Sequence, residues 1–412
     1  MTQRVITQDA FQESPLRKRF GIGFDPWLFV LVAALIAFGL VMVYSSSWDV
    51  SWRLEGDPYA IFEQQVRNLA VGLIAMVIAS FIPMKWIRKY ALPLIAATVL
   101  MLFLVLLVNL GAEHKRAFLG GSVQPSEMAK LALIIYLAVW MESKGERLSL
   151  TGYGLAPLIM IVGLVGGLIL LQPDLSAGFT VVIVAVVMFY LAGADMRQIL
   201  AMGVGGGALA FVLVRVSQVG QDRWNKYVGG LVDLEKASYH VQQSLQSFYS
   251  GGIFGRGLGA SRGKFGFLPA PHTDSIFAIV GEELGLIGAI VVLVLFCLFL
   301  WRGFRLGLNA VTKLEMLLVS GVTFWIGIEA VINMSVLLGL LPFAGNALPF
   351  FSFGGSSLVT TLAGVGLLIN VSRRASRREE ERDNVATIGI GGRDRRRRVS
   401  RIGRSRRTRK AS

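Results

Sequence analysis

The sequence predicts an all-α integral membrane protein, a bundle of about ten transmembrane helices with one long extracytoplasmic loop. Of its 412 residues, 54% are hydrophobic and only 16% are charged, whereas about a quarter of the residues of a soluble domain are charged. The apolar residues are also gathered into runs that approach the roughly 20 residues needed to cross the hydrocarbon layer as a helix. Composition and run length together exclude a soluble enzyme.

Ten apolar runs are the candidate spans. A helix satisfies its backbone polar groups internally, so it is the expected form of each run in lipid. The segment 215–274 between the seventh and eighth runs is the long loop, and ordered loops of that length are usually functional. The runs are Leu28–Tyr44, Asn68–Pro83, Tyr90–Ala112, Glu127–Met141, Tyr153–Leu171, Leu175–Ala194, Gln198–Val214, Ser275–Trp301, Met316–Leu341 and Gly355–Val371.

Charge placement predicts the orientation and the domain limits. The net charge is +15, but residues 373–412 hold 16 basic and 5 acidic residues, a net of +11, which leaves +4 for the rest. An even number of spans puts both termini on one side, and the short loops on that side are denser in Lys and Arg, so both termini are predicted to be cytoplasmic. The expected parts are a cytoplasmic segment 1–26, a membrane domain 27–372 and a disordered basic tail 373–412. Such a tail binds anionic membrane lipid, and nucleic acid is not an expected partner.

No disulfide framework or metal-ligand set is legible in the sequence. The single cysteine, Cys297, lies in an apolar run, where a buried thiol is the ordinary interpretation. The three histidines, His114, His240 and His272, have no ligand spacing to one another, so the ligands of any metal stay unknown.

The first candidate group lies at the outer end of the fourth run. It consists of Gln124, Ser126, Glu127 and Lys130, with Pro125 between the first two. Pro125 suits the first turn of a helix, Ser126 can cap it, and Glu127 and Lys130 share one face. A capped helix with a structural ion pair is one interpretation. A functional site is the other, because a lysine one turn inside a span is costly.

Two more groups stand at helix ends on the same side. Asp174 occupies a tight turn between the fifth and sixth runs, where capping of the next helix is a sufficient explanation. His272, Thr273 and Asp274 stand together before the eighth run. A cap by Asp274 alone does not account for its neighbours, so this group is the stronger functional candidate.

Besides Glu127, three carboxylates fall inside the apolar runs, where ionisable groups are costly. Glu282 and Glu283 lie about two turns into the eighth run, and Glu329 lies in the ninth. Glu329 and Asn333 are one turn apart and share a face, so we expect them to be paired inside the bundle. The segment 341–357 that follows is rich in Pro and Gly, and such backbone must be buried in protein or line a cavity.

A glycine-rich basic strip, 250–265, lies in the long loop and includes Arg256, Arg262 and Lys264. A nucleotide-binding loop is excluded, because Walker A spacing needs a glycine where Leu258 stands and no βαβ unit surrounds the strip. The strip is therefore interpreted as a flexible cationic segment that can approach a lipid diphosphate closely.

Taken together and in order, four motifs resemble the SEDS family (shape, elongation, division, sporulation) of bacterial peptidoglycan polymerases over nearly all of 27–374. Residues 257–261 and Lys264 resemble its division-type branch more than its elongation-type branch. The motifs are Gln124–Glu127 with Lys130, Gln172–Leu175, His272–Asp274 followed by Gly281–Gly285, and Leu348–Phe350 with Ser352–Ser357.

The sequence departs from the family pattern in several places. The family's Arg-Trp pair stands here as Arg116-Ala117-Phe118. Arg223 resembles a family arginine but lacks the proline that normally follows it, and Phe353 replaces the usual tyrosine.

The resemblance implies a glycosyltransferase that polymerises lipid II at the outer leaflet for septal wall synthesis in cell division. The family's catalytic aspartate falls on Asp274, which would act as general base on the 4-hydroxyl of GlcNAc as it attacks and inverts C1 of lipid-linked MurNAc. The leaving diphosphate implies a Lys or Arg clamp and a Mg²⁺ or Mn²⁺ requirement. The other candidates for substrate binding or cavity shaping are Gln124, Ser126, Glu127, Lys130, Asp174, His272, Thr273, Glu282, Glu283, Arg116, Arg223, Arg256, Arg262, Lys264 and Ser356.

The resemblance also implies partners: lipid II, the growing glycan strand, a class B penicillin-binding transpeptidase, accessory division proteins and membrane lipids. Three alternatives stay open, namely an elongation-type polymerase, a lipid II flippase and a non-catalytic scaffold for a transpeptidase. A flippase is typically indicated by repeated halves with broken helices, and no such pair is visible in the sequence.

Overall fold

The computed structural model describes residues 24–108, 124–172 and 174–378, and every regular element within these ranges is helical. Two short 3-10 turns, Gly145–Ser149 and Leu234–Lys236, accompany the α-helices. In chain order the α-helices are α1 (Pro26–Glu55), α2 (Ala60–Phe81), α3 (Met84–Val108), α4 (Pro125–Lys144), α5 (Leu155–Leu171), α6 (Leu175–Leu191), α7 (Met196–Val216), α8 (Gln218–Val232), α9 (Tyr239–Gly251), α10 (Ile276–Glu283), α11 (Gly285–Leu308), α12 (Lys313–Leu337) and α13 (Gly355–Arg378).

The predicted all-α membrane bundle is confirmed, since each of the ten apolar runs overlaps helix in the part of the chain that the structure describes. Within the described ranges, seven helices are long and apolar enough to cross a membrane: α1, α2, α3, α7, α11, α12 and α13. The other three predicted runs fall on α4, which has 20 residues, and on the apolar helices α5 and α6, with 17 residues each. The predicted N-terminal segment and basic tail lie almost wholly outside the described residues.

Local chemistry sets the ends of the spans. The Asp25 carboxylate accepts hydrogen bonds from two N–H groups of the first turn of α1, and Pro26 occupies its first position. Gly56, with a φ of 72°, ends α1 after Glu55, because the left-handed backbone suits glycine. The predicted end at Tyr44 was therefore too early.

The eighth predicted span, Ser275–Trp301, is wrong as a single helix, because it consists of α10 and α11 with a break before Gly285. Gly285 has a φ of 69°, and a Cβ there would lie 2.4 Å from the backbone nitrogen of Gly255. The Leu286 N–H donates to the Gly252 carbonyl at 2.9 Å. The glycine-rich strip thus supplies a partner that the first turn of α11 lacks.

The segment 215–274, predicted as a loop, contains α8 and α9. Each of these helices begins at a serine whose hydroxyl accepts a hydrogen bond from the first turn, Ser217 from Gly220 at 3.2 Å and Ser238 from Val241 at 3.4 Å. These serines are ordinary N-caps, so the helix starts were readable from local sequence.

The centre of the bundle is formed by α12 and α13. Most residues of α12 are buried, and Trp325 is fully buried. The helices α1, α2 and α3 expose most of their apolar side chains, as helices in contact with lipid do. The side chains of Glu127 and Lys130 on α4 and of Glu329 on α12 are buried in this bundle.

Candidate active site

A tight turn before α10 places Asp274 at the mouth of that helix. The Ala270 carbonyl accepts hydrogen bonds from the N–H groups of Thr273 and Ser275, both at 3.2 Å. The Ser275 hydroxyl donates to the Pro269 carbonyl at 2.8 Å, and Ala270 adopts a φ of 48°. Asp274 is partly exposed, so its carboxylate is anchored through its backbone and still reachable.

Asp274 is tied to α12 and to the loop that follows α12. The Asn333 amide donates to the main-chain oxygens of Asp274 at 2.9 Å and of Asn346 at 2.5 Å. The Asn346 amide in turn donates to the Glu329 carbonyl at 3.0 Å. Gly345 lies beside the Asp274 carboxylate, where a Cβ would be 2.7 Å from Oδ2. The expected inward pairing of Asn333 is confirmed.

The far end of the same loop packs on the residues just before Asp274. The Ser352 hydroxyl donates to the Thr273 carbonyl at 2.7 Å and accepts from the Leu348 N–H at 2.7 Å. The Phe353 N–H donates to the His272 carbonyl at 2.8 Å. The Pro- and Gly-rich loop is therefore a packed wall of the Asp274 turn.

Asp174 gathers the first predicted group around it. Its Oδ1 accepts from the Ala177 N–H at 3.2 Å, so the predicted helix cap is confirmed, and the Ser176 hydroxyl lies 3.1 Å from the same oxygen. Its Oδ2 accepts from the Gln124 amide at 3.1 Å and from the Ser126 hydroxyl at 3.4 Å. Oδ1 therefore bonds to the start of α6 and Oδ2 to the start of α4, so the Asp174 carboxylate joins the two helices.

Two bonds connect this group to the loop beside Asp274. The Ser176 hydroxyl also lies 3.1 Å from the Gly345 carbonyl, so its one proton can go to either acceptor. The Gln124 N–H donates to the hydroxyl of Ser356 at 3.2 Å. The ends of α4 and α6, the loop after α12 and the Asp274 turn therefore form one hydrogen-bonded assembly.

Lys130 holds two carboxylates inside the bundle. Its Nζ lies 2.8 Å from Oε1 of Glu127 and also contacts Glu329. Its side chain is 3% exposed and lies over the Trp325 ring. Oε2 of Glu127 is buried and has no hydrogen-bond partner among the described residues. The predicted pair of Glu127 and Lys130 is confirmed, and Glu329 is its third member.

Glu282 holds the glycine-rich strip. Its carboxylate accepts from the Ser261 hydroxyl at 2.6 Å and from the N–H groups of Arg262 at 2.9 Å and Gly263 at 3.2 Å. Its side chain lies 3.9 Å from the guanidinium of Arg256. A carboxylate with this many donors is saturated by the protein itself.

Glu283 forms a second contact to the same strip. It accepts from the Ser45 hydroxyl of α1 at 2.7 Å and pairs with Lys264 at 3.2 Å. Lys264 also donates to the Gly259 carbonyl at 2.6 Å. All three charged side chains, those of Glu282, Glu283 and Lys264, are nearly fully buried. This corrects the sequence prediction, because these residues fix the strip from within and do not offer free charge to a substrate.

The arginines differ in how available they are. Arg256 and Arg262 are both exposed, and the Arg256 guanidinium also donates to the Ser250 carbonyl at 3.2 Å. Arg223 lines a groove of about 550 Å³ between α8, α9 and the end of α12. Arg116 lies outside the described residues. Of the predicted cationic candidates that the structure describes, Arg256 and Arg262 are the exposed ones and are accessible to an anionic ligand.

His272 is half-buried next to Thr273 and Asp274, and its neutral form is favoured. Burial lowers the pKa of His272 from its ordinary value of 6.5 to about 4. Its Nδ1 is buried without a hydrogen-bond partner among the residues described, and its ring packs 5.6 Å from that of Phe353. His272 therefore contributes packing to the turn, and a positive charge there is disfavoured.

We expect the free energy of unfolding to fall as the pH drops from 6.5 to about 4. In that window the unfolded chain binds a proton at His272 and the folded protein does not, so protonation favours unfolding. Well above pH 6.5 His272 is neutral in both states and contributes no pH dependence. Thermal unfolding of the wild type and His272→Gln across this window measures the effect. Equal slopes in the two proteins would contradict it.

Four residues that complete the assembly were not predicted as site residues from the sequence: Ser45, Ser176, Gly345 and Asn346. Ser176 had a local signal, since it stands two residues after Asp174 at a helix start. Ser45 had a weaker one, the run of serines at the end of the first apolar run. The roles of Gly345 and Asn346 depend on contacts to distant elements, and local sequence holds no signal for them.

The described side chains do not form a protein-built metal cage. In the ranges that the structure describes, no three His, Cys, Asp or Glu side chains converge. Both oxygens of Asp174 are already bonded to protein donors, and Glu127 is bonded to Lys130 through one oxygen. These residues do not fit a complete Mg²⁺ site, although Mg²⁺ in phosphate-handling enzymes often uses only one or two carboxylates.

The helical bundle and the hydrogen-bonded assembly around Asp174 and Asp274 define a polytopic membrane protein with a polar site at one end of the bundle. The chain belongs to the FtsW/RodA/SpoVE family of cell cycle proteins, whose family model matches residues 26–377. The resemblance inferred from the four motifs is thereby confirmed.

Named relatives and solved structures agree with this assignment. The probable peptidoglycan glycosyltransferase FtsW of Geobacter metallireducens is 38% identical over 356 residues, which cover 85% of this chain and 95% of the relative. Stage V sporulation protein E of Bacillus subtilis is 36% identical over 356 residues, which cover 85% and 97%.

Among solved structures, the rod shape determining protein RodA of Thermus thermophilus matches with a TM-score of 0.61 and 30% identity, over 85% of this chain and 97% of RodA. A chain from a peptidoglycan synthase complex, described as coordinating polymerization and crosslinking, matches with a TM-score of 0.67 and 29% identity. That match covers 85% of this chain and 98% of the other.

Proposed function

We propose that this protein is a peptidoglycan glycosyltransferase that polymerises lipid II during cell division, with Asp274 as its general base. The observation that carries the proposal is the placement of Asp274, a reachable carboxylate whose backbone is bonded to Asn333 and whose side chain lies against Gly345. Family membership supports it, as do relatives named as probable peptidoglycan glycosyltransferases. The higher identity to proteins named FtsW favours the division-type role over the elongation-type role.

The proposed chemistry is a single displacement at the anomeric carbon. The Asp274 carboxylate accepts the proton of the GlcNAc 4-hydroxyl while that oxygen attacks C1 of the lipid-linked MurNAc. The bond from C1 to the diphosphate oxygen breaks, the anomeric centre inverts and undecaprenyl diphosphate leaves. A sugar hydroxyl is a poor nucleophile at neutral pH, so a positioned base is the group that this reaction most needs.

The leaving diphosphate needs positive charge nearby. Lys130 and Lys264 are both buried in ion pairs, so neither supplies it. The accessible cations of the glycine-rich strip are Arg256 and Arg262, which are both exposed. We assign the diphosphate clamp to this strip, and Glu282 holds the strip in place through its backbone and the Ser261 hydroxyl.

A divalent cation, Mg²⁺ or Mn²⁺, remains part of the proposal as a requirement of the reaction. Because the described residues offer no complete ligand set, no step of the mechanism above is assigned to the ion. The dependence of glycan-strand synthesis on the divalent cation can be measured with the purified enzyme.

A lipid II flippase is the weaker alternative. Its main motivation was the presence of Lys130 and Glu329 inside the spans, and these two residues pair with each other and with Glu127. A buried charge that is satisfied in this way serves as a fixed part of the bundle. This pairing accounts for Lys130 and Glu329 without a transport role, and the ten predicted spans suit a polymerase equally well.

The setting of the reaction follows from the same proposal. The Asp274 end of the bundle faces the outer leaflet, both termini are cytoplasmic and the protein acts at the division septum. A penicillin-binding transpeptidase with a single span is the expected partner, supported by the structural match to a chain of a peptidoglycan synthase complex. Accessory division proteins and anionic lipid at the basic tail complete the expected set of contacts.

Polymerisation of lipid II by the purified protein tests the proposal. We expect long glycan strands when lipid II, a divalent cation and the partner transpeptidase are supplied, and much less product when the cation is chelated. Detergent micelles have no leaflets to flip between, so strands made in micelles exclude a flippase as their source. No strands with any of the tested cations, partner present, would refute the polymerase assignment.

A further inference from the structure

We infer that Gly345, on a loop that Asn333 holds through the Asn346 carbonyl, positions the Asp274 carboxylate, because only a residue without a side chain leaves room for that carboxylate. The inference rests on the proposed role of Asp274 as the general base. It adds a positioning residue on the loop after α12.

The steric argument concerns one pair of groups. A Cβ built on Gly345 would lie 2.7 Å from Oδ2 of Asp274 and 3.7 Å from its Cγ. Apart from the chain neighbours of Gly345, no other atom of the described residues comes within 4 Å of that Cβ. Gly345 is also not among the glycines with positive φ, so alanine fits its backbone. The whole penalty of a methyl group at this position falls on the Asp274 carboxylate.

The loop that carries Gly345 is held in place by contacts to α12 and α6. The Asn333 amide donates to the Asn346 carbonyl at 2.5 Å, and the Asn346 amide donates to the Glu329 carbonyl at 3.0 Å. The Ser176 hydroxyl lies 3.1 Å from the Gly345 carbonyl. The backbone at 345 is therefore the less mobile partner in the contact.

In this contact Asp274 can move more than Gly345, but only through its side chain. Its main-chain oxygen accepts from the same Asn333 amide that holds Asn346, at 2.9 Å. Asn333 thus holds the two backbones close to each other, so rotation of the carboxyl group is the expected way to relieve a clash. A methyl group at 345 should move the base and leave the fold intact.

This displacement predicts a loss of turnover. A misplacement of about 1 Å in a reacting group can cost about 100-fold in rate. We expect Gly345→Ala to lower kcat by about 100-fold, to leave KM for lipid II within about twofold because binding contacts are unchanged, and to leave the thermal unfolding temperature unchanged.

The experiment uses the full chain with its partner and lipid II. Gly152→Ala is the matched control, since Gly152 lies in a loop, has no positive φ and has no atom within 4 Å of a built Cβ. It should retain wild-type kcat. Asn333→Asp is the second variant: it replaces the donating amide with an acceptor facing two carbonyls, and we expect kcat to fall there as well.

The outcomes separate this inference from the proposed function. An inactive Asp274→Asn variant together with a fully active Gly345→Ala variant would overturn the positioning role and leave the general base in place. A fully active Asp274→Asn variant would overturn the proposed function itself. A Gly345→Ala variant with raised KM and normal kcat, or one that unfolds at lower temperature, would assign Gly345 to binding or to stability and overturn the inference.

Discussion

Asp274→Asn is expected to reduce glycan-strand synthesis by about 10²–10⁴-fold, the usual contribution of a positioned general base. Asparagine has the size of aspartate, and its main-chain oxygen can still accept the 2.9 Å bond from Asn333. The amide, however, cannot accept the proton of the attacking hydroxyl. The measurement is the initial rate of strand formation from lipid II by the purified protein with its partner.

A matched control for this variant comes from the same segment of the chain. Glu235→Gln makes the same carboxylate-to-amide change at an exposed residue before α9, and we expect wild-type rates from it. Both variants should unfold at the wild-type temperature. Wild-type activity in Asp274→Asn would contradict the assignment, and normal septal wall synthesis by that variant in cells would support the scaffold alternative instead.

The membrane fold was predictable because hydropathy is a local property. In lipid every backbone group must be satisfied within the helix, so the length and composition of a run decide its structure. The exception was the break before Gly285, where the partner of the Leu286 N–H is the Gly252 carbonyl of a distant segment. Single-sequence hydropathy carries no information on that contact.

The same contrast between local and distant contacts explains which parts of the site were predictable from the sequence. Glu127 and Lys130 were predicted to pair, since residues three apart share a helix face. The third member, Glu329, comes from 199 positions further along the chain. The N-cap role of Asp174 was predicted from its position, whereas its bonds to Gln124 and Ser126 required the tertiary fold.

Two clusters of charged residues stabilise different parts of the site. Glu282, Glu283 and Lys264 tie the glycine-rich strip to the bundle at the break between α10 and α11. Glu127, Lys130 and Glu329 join α4 to α12, the helix whose Asn333 is bonded to the Asp274 backbone. Both clusters act through the elements that they fix, so their removal should first be detected as a loss of stability.

Lys130→Met is therefore expected to lower the free energy of unfolding by about 3–5 kcal/mol, the usual cost of breaking a buried ion pair by removing one partner. Methionine matches the length of the lysine side chain, so packing near Trp325 is largely kept. The loss comes from Glu127 and Glu329, which remain buried without the cation that both contact. Thermal or denaturant unfolding of the detergent-solubilised protein measures the change.

Two comparisons isolate burial as the cause. Arg88→Met removes the cation from the pair with Glu142, whose side chains are 50% and 23% exposed, and exposed pairs contribute only about 0.2–1 kcal/mol. The triple variant Lys130→Met, Glu127→Gln, Glu329→Gln leaves no uncompensated charge and should recover most of the loss, because neutral replacements of buried ion pairs are often tolerated. Equal losses in Lys130→Met and Arg88→Met, or no recovery in the triple variant, would show that the charge of Lys130 is not what α4 and α12 depend on.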